Sequence, residues 1–117
     1  MPTETRKFII GWLTFPPDRR AEFLALARPY IATCRAEPGC LFFEMNPSLT
    51  DPDTVVISEC FASKAAHEAH LATQNFRDFW AALNSLALTG RFENIYASEV
   101  ILDSATFGTP SVPQAKA

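Results

Sequence analysis

Residues 6–15, RKFIIGWLTF, form the segment that most restricts how this chain can fold. They are rich in β-branched and aromatic residues, which predicts a strand. Successive side chains of a strand point to opposite faces of a sheet, and both faces would be apolar here. One face would carry Phe8, Ile10 and Trp12, and the other would carry Ile9, Leu13 and Phe15. Both faces of the sheet must therefore be covered.

The remaining apolar patterns and turn residues predict the order β-α-β-β-α-β. The predicted strands are residues 6–15, 40–46, 54–62 and 91–102. The first helix is expected to be capped by Asp18, to kink or break at Pro29 and to end at Pro38 and Gly39. Ser63 and Thr73 can cap two short helices in the second helical region. This order is typical of an α+β, ferredoxin-like subunit with an antiparallel sheet.

The helices in this order can cover only one face of a four-stranded sheet. A second copy of the chain is the simplest cover for the other face, so we expect a homodimer packed sheet to sheet. Residues 1–103 are expected to form a single domain. Residues 104–117, which contain little to bury, are expected to form a flexible C-terminal tail or an arm over a neighbouring subunit.

Composition argues against several classes of partner. The net charge is −3 and the ten Lys and Arg residues are scattered, which is unlike nucleic-acid binders and unlike proteins that bind membrane surfaces. No apolar run approaches the roughly 18 residues of a membrane helix, and the first residues do not resemble a signal peptide. Cys34, Cys40 and Cys60 lie in apolar surroundings, so we expect them to be reduced and mostly buried in a cytoplasmic protein.

Several familiar motifs are missing from the sequence. No two of the four glycines lie close enough to form a phosphate or dinucleotide loop, and there is no Gly-x-Ser-x-Gly elbow. His67 and His70 lack the spacing of a zinc-binding helix and have no obvious third ligand. We therefore expect neither a metal nor a nucleotide cofactor.

Three polar residues are candidates for chemistry, and each has a structural alternative. Glu59 shares a strand face with apolar residues, where burial would raise its pKa and suit it to proton transfer; alternatively it lies at a sheet edge or pairs with an Arg. His70, on a short helix, is either a base or a polar residue of the core. Asn75, in the first turn of the next helix, is either a hydrogen-bond donor to a ligand or a structural residue.

The aromatic residues offer a second kind of site. Most of them must belong to the core, but a few could line an apolar cavity between the sheet and the helices. The residues expected to line this pocket are Trp12, Phe43, Phe76, Trp80 and Tyr96.

Three segments together resemble the antibiotic biosynthesis monooxygenase family of dimeric α/β-barrel proteins. They are EPGCLFFEM at residues 37–45, TVVISECFAS at 54–63 and AAHEAHLATQNFRDF at 65–79. The resemblance covers residues 5 to about 103. It implies a ferredoxin-like subunit whose dimer forms an α/β barrel. It also implies that Glu59 and His70 match positions of the family pattern, whereas family members often carry His where Asn75 stands.

The resemblance further implies oxidation of a small quinol or polyhydroxylated aromatic compound by O2 without a cofactor. In that reading His70 is the base, Asn75 donates a hydrogen bond to the developing oxyanion, and Glu59 orients His70 or shares its proton. An isomerase of a small hydroxy-ketone or signalling sugar would use the same base; it would need Lys64, Arg77 or Arg91 near the pocket to hold phosphate. A non-catalytic small-molecule-binding protein and a purely structural partner protein are further alternatives.

Overall fold

A computed structural model describes residues 5–108 and has the predicted α+β, ferredoxin-like fold. Its four strands and three α-helices follow the predicted order, and a 3-10 turn, Pro17–Arg19, precedes the first helix. The strands are β1 (Arg6–Thr14), β2 (Cys40–Pro47), β3 (Thr54–Phe61) and β4 (Thr89–Ala97). The helices are α1 (Arg20–Arg35), α2 (Lys64–Leu71) and α3 (Gln74–Ser85). No helix of the described segment is long and apolar enough to cross a membrane.

The sheet is antiparallel throughout, with the strand order β2-β3-β1-β4. β1 and β3 are central, and their inward side chains pack against α1 and α3 in one buried core. Phe15, Phe23 and Phe43 are almost completely buried in this core. Burying a side chain of this size contributes about 1.5–3 kcal/mol, so the packing of helices on the sheet is the main support of the fold.

The two predicted caps of the second helical region are present. The Ser63 Oγ accepts a hydrogen bond from the backbone N–H of Ala66 at 3.1 Å, and the Thr73 Oγ1 accepts one from Phe76 at 3.0 Å. Caps of this kind each contribute about 1 kcal/mol. They divide the region into α2 and α3 and so determine where His70, in the last turn of α2, enters the core.

Several details of the predicted elements differ in the structure. Asp18 does not cap α1, because it lies inside the 3-10 turn and the N-cap position is occupied by Arg19. α1 continues unbroken past Pro29. β4 ends at Ala97 rather than at residue 102, because Ala97 pairs with Arg6 at the start of β1 and the residues beyond it have no partner strand.

The two sets of β1 side chains lie on opposite faces of the sheet, as alternation predicted, and they differ in burial. Ile9 and Leu13 are buried beneath the helices, whereas Phe8, Ile10 and Trp12 lie half-buried on the opposite face and outside the core. The exposed Phe42 and Ile95 belong to neighbouring strands of the same apolar face. We call this the open face. That a second copy of the chain covers it, and that the pair forms a barrel, remain predictions.

Residues 98–108 form neither helix nor strand, and residues 101–108 are exposed. The predicted tail, 104–117, falls mostly outside the described residues. Its flexibility therefore remains a prediction.

Candidate active site

A cavity of about 190 Å³ lies between the inward face of the sheet and helices α2 and α3. Its wall is mostly apolar, and besides Trp80, whose indole carries an N–H group, five of its side chains are polar. These polar residues are Tyr30, Glu59, His67, His70 and Asn94. An apolar cavity with a few convergent polar groups is the usual form of a small-molecule site.

Glu59 is held in the centre of the sheet. It lies on β3 between Ile9 of β1 and Phe43 of β2, and it is only 8% exposed. Burial, reinforced by the negative charge of Glu37, raises the pKa of the Glu59 carboxyl to about 7. Its carboxylate takes part in no side-chain hydrogen bond within the described part of the chain. A carboxyl in this state can take up or release a proton near neutral pH.

His70 lies directly beside Glu59 and is 3% exposed. The Nδ1 atom of His70 is 2.7 Å from Oε1 of Glu37, and Nε2 is 3.9 Å from Oε1 of Glu59 and 3.4 Å from the hydroxyl of Tyr30. In the tautomer that carries its proton on Nδ1, His70 donates to Oε1 of Glu37, and Nε2 is left as an acceptor. The distance to Glu59 is too long for a direct hydrogen bond. This arrangement can move a proton between a ligand, Glu59 and His70.

Sequence reasoning missed Glu37 and Tyr30. Glu37 follows the end of α1, and its second oxygen, Oε2, is buried without a hydrogen-bond partner among the described residues. Tyr30 stacks on Phe79 with ring centres 3.8 Å apart. Burial, followed by the influence of Cys34, raises the pKa of Tyr30, so its hydroxyl remains protonated. The only signal for Glu37 was its place in the EPGC segment.

The structure separates the residues that the sequence assigned to the pocket. Phe43, Phe76 and Trp80 line the cavity. Trp12 does not, because it lies on the open face with the Arg91 guanidinium 3.9 Å from its ring centre. Tyr96 lies outside the cavity lining, where its hydroxyl accepts a hydrogen bond from Nζ of Lys7 at 2.8 Å.

Asn75, assigned as an oxyanion donor, does not line this cavity. It lies on the other side of Tyr30 and Phe79, in a separate groove between α1 and α3. Its amide points to Sγ of Cys34 at 3.9 Å. Asn75 therefore packs helix against helix in the structure, and the amide in the cavity is that of Asn94.

The basic residues that a phosphorylated substrate would require are also elsewhere. Arg77 donates to the carbonyl of Ala72, and Lys64 lies 3.8 Å from Glu68. Arg91 is on the open face. Among residues 5–108, those that line the cavity include no Lys or Arg. The cavity is better suited to a neutral or weakly acidic ligand than to a phosphate.

One group of side chains has the composition of a metal site. Ligand atoms of Cys34, Glu37 and His70 lie within 4.8 Å of one another. Burial raises the pKa of the Cys34 thiol to about 12, so in the absence of a metal the thiol stays protonated near neutral pH. Glu37 and His70 already bind each other through Nδ1. The geometry therefore favours a hydrogen-bonded Glu–His pair here.

Comparison with known proteins identifies the family to which this arrangement belongs. Residues 8–82, more than half of the chain, match the family described as antibiotic biosynthesis monooxygenase. The chain belongs to that family. It is also 30% identical over 71 residues to the uncharacterised protein sll1783 of Synechocystis. That match covers 61% of this chain and 48% of the relative, so the chain spans about half the length of the relative.

Solved structures share the fold. A candidate antibiotic biosynthesis monooxygenase from Deinococcus radiodurans has a TM-score of 0.79 at 24% identity, over 85% of this chain and 99% of that chain. A second, from Caulobacter crescentus CB15, has a TM-score of 0.75 at 25% identity, over 86% and 94%. A protein of unknown function from Bacteroides thetaiotaomicron is similarly close, with a TM-score of 0.75 at 18% identity over 80% and 99%.

Proposed function

We propose that this protein is a cofactor-independent monooxygenase that oxidises a small quinol or polyhydroxylated aromatic compound with O2. One observation carries the proposal. Glu59 is a buried carboxyl with a pKa of about 7 and no side-chain hydrogen bond within the described segment, and it lies in an apolar cavity beside His70. A ligand hydroxyl is the partner that such a carboxyl lacks.

The chemistry begins with removal of a phenolic proton. The resulting phenolate is electron-rich enough to pass an electron to O2, and an oxygen atom then joins a ring carbon. Overall, a quinol and O2 give a hydroxyquinone and water: the ring C–H becomes C–OH, the quinol is oxidised to the quinone, and the second oxygen atom leaves as water. The protein must supply a base, a partner for the anion and a dry cavity.

His70 and Glu59 supply the base in this proposal. His70 Nε2 and Glu59 Oε1 are 3.9 Å apart, so a ligand hydroxyl beside them could lie about 2.8 Å from both and donate to either atom. Glu37 holds the ring through Nδ1 and stabilises the imidazolium that forms when Nε2 takes the proton. Tyr30, which stays protonated, can donate a hydrogen bond toward the same place.

The alternatives predict different cavities. An isomerase of a phosphorylated sugar would need a Lys or Arg at the cavity to hold the phosphate, and neither is found among the described residues that line it. A non-catalytic binding protein would keep the apolar wall but would not need Glu59 or His70. Replacing both residues would then leave ligand affinity intact.

We also propose a homodimer in which two open faces pack together. The apolar residues of the open face, including Phe8, Ile10, Phe42 and Ile95, would otherwise remain in water. The three cysteines are free, which fits the proposed cytoplasmic location, a reducing compartment. The particle mass in solution tests the dimer: a monomer at micromolar concentration would contradict it.

Oxygen uptake tests the proposed reaction. Purified protein, freed of metal and flavin, is mixed with a panel of quinols and polyhydroxylated aromatics, and consumption of O2 is compared with the uncatalysed background. His70→Ala and Glu59→Gln should each reduce the catalysed rate by about 100-fold or more, the usual effect of losing a general base. Glu22→Gln, at an exposed position of α1, is the control and should keep the rate. No uptake above background with any compound would reject the proposal.

A further inference from the structure

We infer that Lys7 and Tyr96 form a binding site for a carboxylate group at one end of the sheet, outside the cavity. The inference does not depend on the proposed reaction. Three observations support it: the burial of Lys7, the unused hydrogen-bond donors of the pair, and the exposure of Tyr96 on an edge strand.

Lys7 is buried in surroundings where lysine is rare. It lies on the helix-facing side of β1, two residues before Ile9, and it is only 4% exposed. A buried lysine is normally paired with an acid, because an uncompensated charge away from water is costly. None of the ion pairs formed within residues 5–108 includes Lys7. The positive charge of Lys7 therefore has no counterion in the described part of the chain.

The pair has several hydrogen-bond donors that are not used. Lys7 stands opposite Tyr96 in the register of β1 and β4, and its Nζ donates to the Tyr96 hydroxyl at 2.8 Å. An ammonium group has three N–H donors, so two remain. The Tyr96 hydroxyl accepts this bond and keeps its own O–H to donate. Neither group forms another side-chain hydrogen bond among the described residues.

The charge and the donors of this pair match a carboxylate better than a phosphate. A carboxylate carries one negative charge, which balances that of Lys7. Its two oxygens can accept from the Lys7 ammonium and from the Tyr96 hydroxyl at the same time. A phosphate monoester carries about 1.5 to 2 negative charges at pH 7, and Lys7 would balance only one of them.

The site is accessible from the edge of the sheet. Tyr96 belongs to β4, which pairs with β1 alone, and it is 51% exposed. The Lys7 Nζ also lies 4.1 Å from the centre of the Tyr96 ring, so the ring covers one side of the ammonium. Neither residue lines the cavity. A carboxylate that approaches along β4 would therefore reach both groups without entering the cavity.

Binding at this site should affect one residue of the cavity, His67. The His67 ring contacts that of Phe61, with ring centres 5.2 Å apart, and Phe61 stands opposite Lys7 in the sheet. Burial, followed by the charge of Lys7, lowers the pKa of His67 from 6.5 to about 4. A carboxylate that balances the charge of Lys7 would remove the second cause and leave the first. The pKa of His67 should therefore rise and still remain below 6.5.

An NMR titration with sodium acetate tests the site directly. Acetate is added at pH 7, sodium chloride keeps the ionic strength constant, and the ring signals of Tyr96 are followed. Acetate should bind with a dissociation constant of about 1–10 mM, the strength expected of two charge-assisted hydrogen bonds. Acetamide, which has a similar shape and no charge, should show no saturable binding.

Three variants separate the site from a general effect on folding. Lys7→Met removes the charge and keeps an apolar stem, so it should weaken acetate about tenfold or more. Tyr96→Phe removes only a hydroxyl, should weaken acetate about fivefold, and remains informative if Lys7→Met does not fold. Lys64→Gln removes an exposed lysine of α2 and should keep the wild-type affinity to within about twofold.

The pKa of His67 provides a reading that a purely structural Lys7–Tyr96 contact would not change. It is measured between pH 3 and pH 6 with and without saturating trifluoroacetate, a carboxylate that stays ionised over this range. His67→Gln identifies the His67 signals. The pKa should rise with trifluoroacetate in wild type and should not respond in Lys7→Met.

The natural carboxylate could belong to a small molecule or to an acidic residue of a second copy of the chain. Protein concentration distinguishes these sources. If a second copy supplies the carboxylate, the apparent affinity for acetate falls as the protein is concentrated. If a small molecule supplies it, the affinity is independent of protein concentration.

The inference is overturned if chloride or acetamide shifts the Tyr96 signals as acetate does, if Lys7→Met or Tyr96→Phe binds acetate like wild type, or if saturating trifluoroacetate leaves the pKa of His67 unchanged. Absence of saturable acetate binding to dilute protein at about 100 mM would overturn it as well.

Discussion

Replacing Glu59 by glutamine should make the protein more stable at alkaline pH relative to wild type. Burial and the charge of Glu37 raise the Glu59 pKa from 4.5 to about 7. The folded state therefore binds this proton more tightly than the unfolded chain does. As pH rises from 4.5 to about 7, the carboxyl increasingly opposes folding, and above that range its cost is constant. At about 1.4 kcal/mol for each pH unit, the full cost is about 3 kcal/mol.

Urea unfolding measured at several pH values provides the assay. Glutamine is neutral throughout, so any constant effect of the amide cancels when the two proteins are compared across pH. The free energy of unfolding of Glu59→Gln minus that of wild type should rise by about 2–3 kcal/mol between pH 5 and pH 8. Glu22→Gln, which removes an exposed carboxylate from α1, should shift by less than about 0.5 kcal/mol over the same range.

A difference between Glu59→Gln and wild type that stays constant from pH 5 to pH 8 would refute the reasoning. It would mean that the carboxyl titrates as it does in water. The claim that a half-protonated Glu59 acts near neutral pH would then fail as well. A carboxyl 13C titration of the same residue, with a midpoint near 7 expected, gives an independent reading.

Three further predictions concern residues around the cavity. Glu37→Gln should lower the catalysed O2 uptake about tenfold or more, because His70 loses the carboxylate that accepts a hydrogen bond from Nδ1–H. An unchanged rate and an unchanged pH profile would show that Glu37 does not support His70 in catalysis. Gly39→Ala should lower the free energy of unfolding by about 1–3 kcal/mol, because Gly39 has a φ of +82° and an added Cβ would lie 2.6 Å from the Cβ of Ala66. Urea unfolding would detect this loss, and a variant as stable as wild type would contradict the prediction. Cys34 should resist iodoacetamide at pH 8 in the folded protein, because burial raises the pKa of its thiol to about 12, and it should react once the protein is unfolded. Rapid labelling of Cys34 in the native protein, detected by mass spectrometry, would contradict this prediction.

The sequence was sufficient to predict the fold because local and long-range signals agreed. Alternation placed Ile9 and Leu13 together on one face of β1, and Ser63 and Thr73 marked the helix starts. The end of β4 was misjudged because Ile101 and Leu102 have the composition of a strand. Whether such residues join a sheet depends on a neighbour, and β1 begins at Arg6, opposite Ala97.

The site was predictable only in part. Glu59 and His70 carried local signals, an acid in an apolar row and a histidine on a helix of small residues. Their partners did not, since Glu37 and Tyr30 lie 33 and 40 residues from His70. Trp12 was assigned to the pocket because alternation separates the two faces of a strand but does not say which face the helices will cover.

The other misassigned residues have different physical reasons. Asn75 lies only five residues beyond His70, yet the turn at Thr73 directs it between two helices. Tyr96 does face the same side as the cavity, but it pairs with Lys7 beyond the cavity lining. Proximity in sequence, or a shared strand face, was not enough to predict proximity in the site.

The position of β4 at the edge of the sheet has a consequence for how ligand binding can be detected. β4 is an edge strand, paired with β1 alone, and it carries both Phe92 and Asn94 of the cavity. Strand edges open more readily than strand centres, so the amides of β4 should exchange with solvent faster than those of β1 and β3. A ligand in the cavity that contacts Phe92 or Asn94 would tie this edge to the middle of the sheet. Slowed amide exchange confined to β4 would then record occupancy, even for a compound that never reacts.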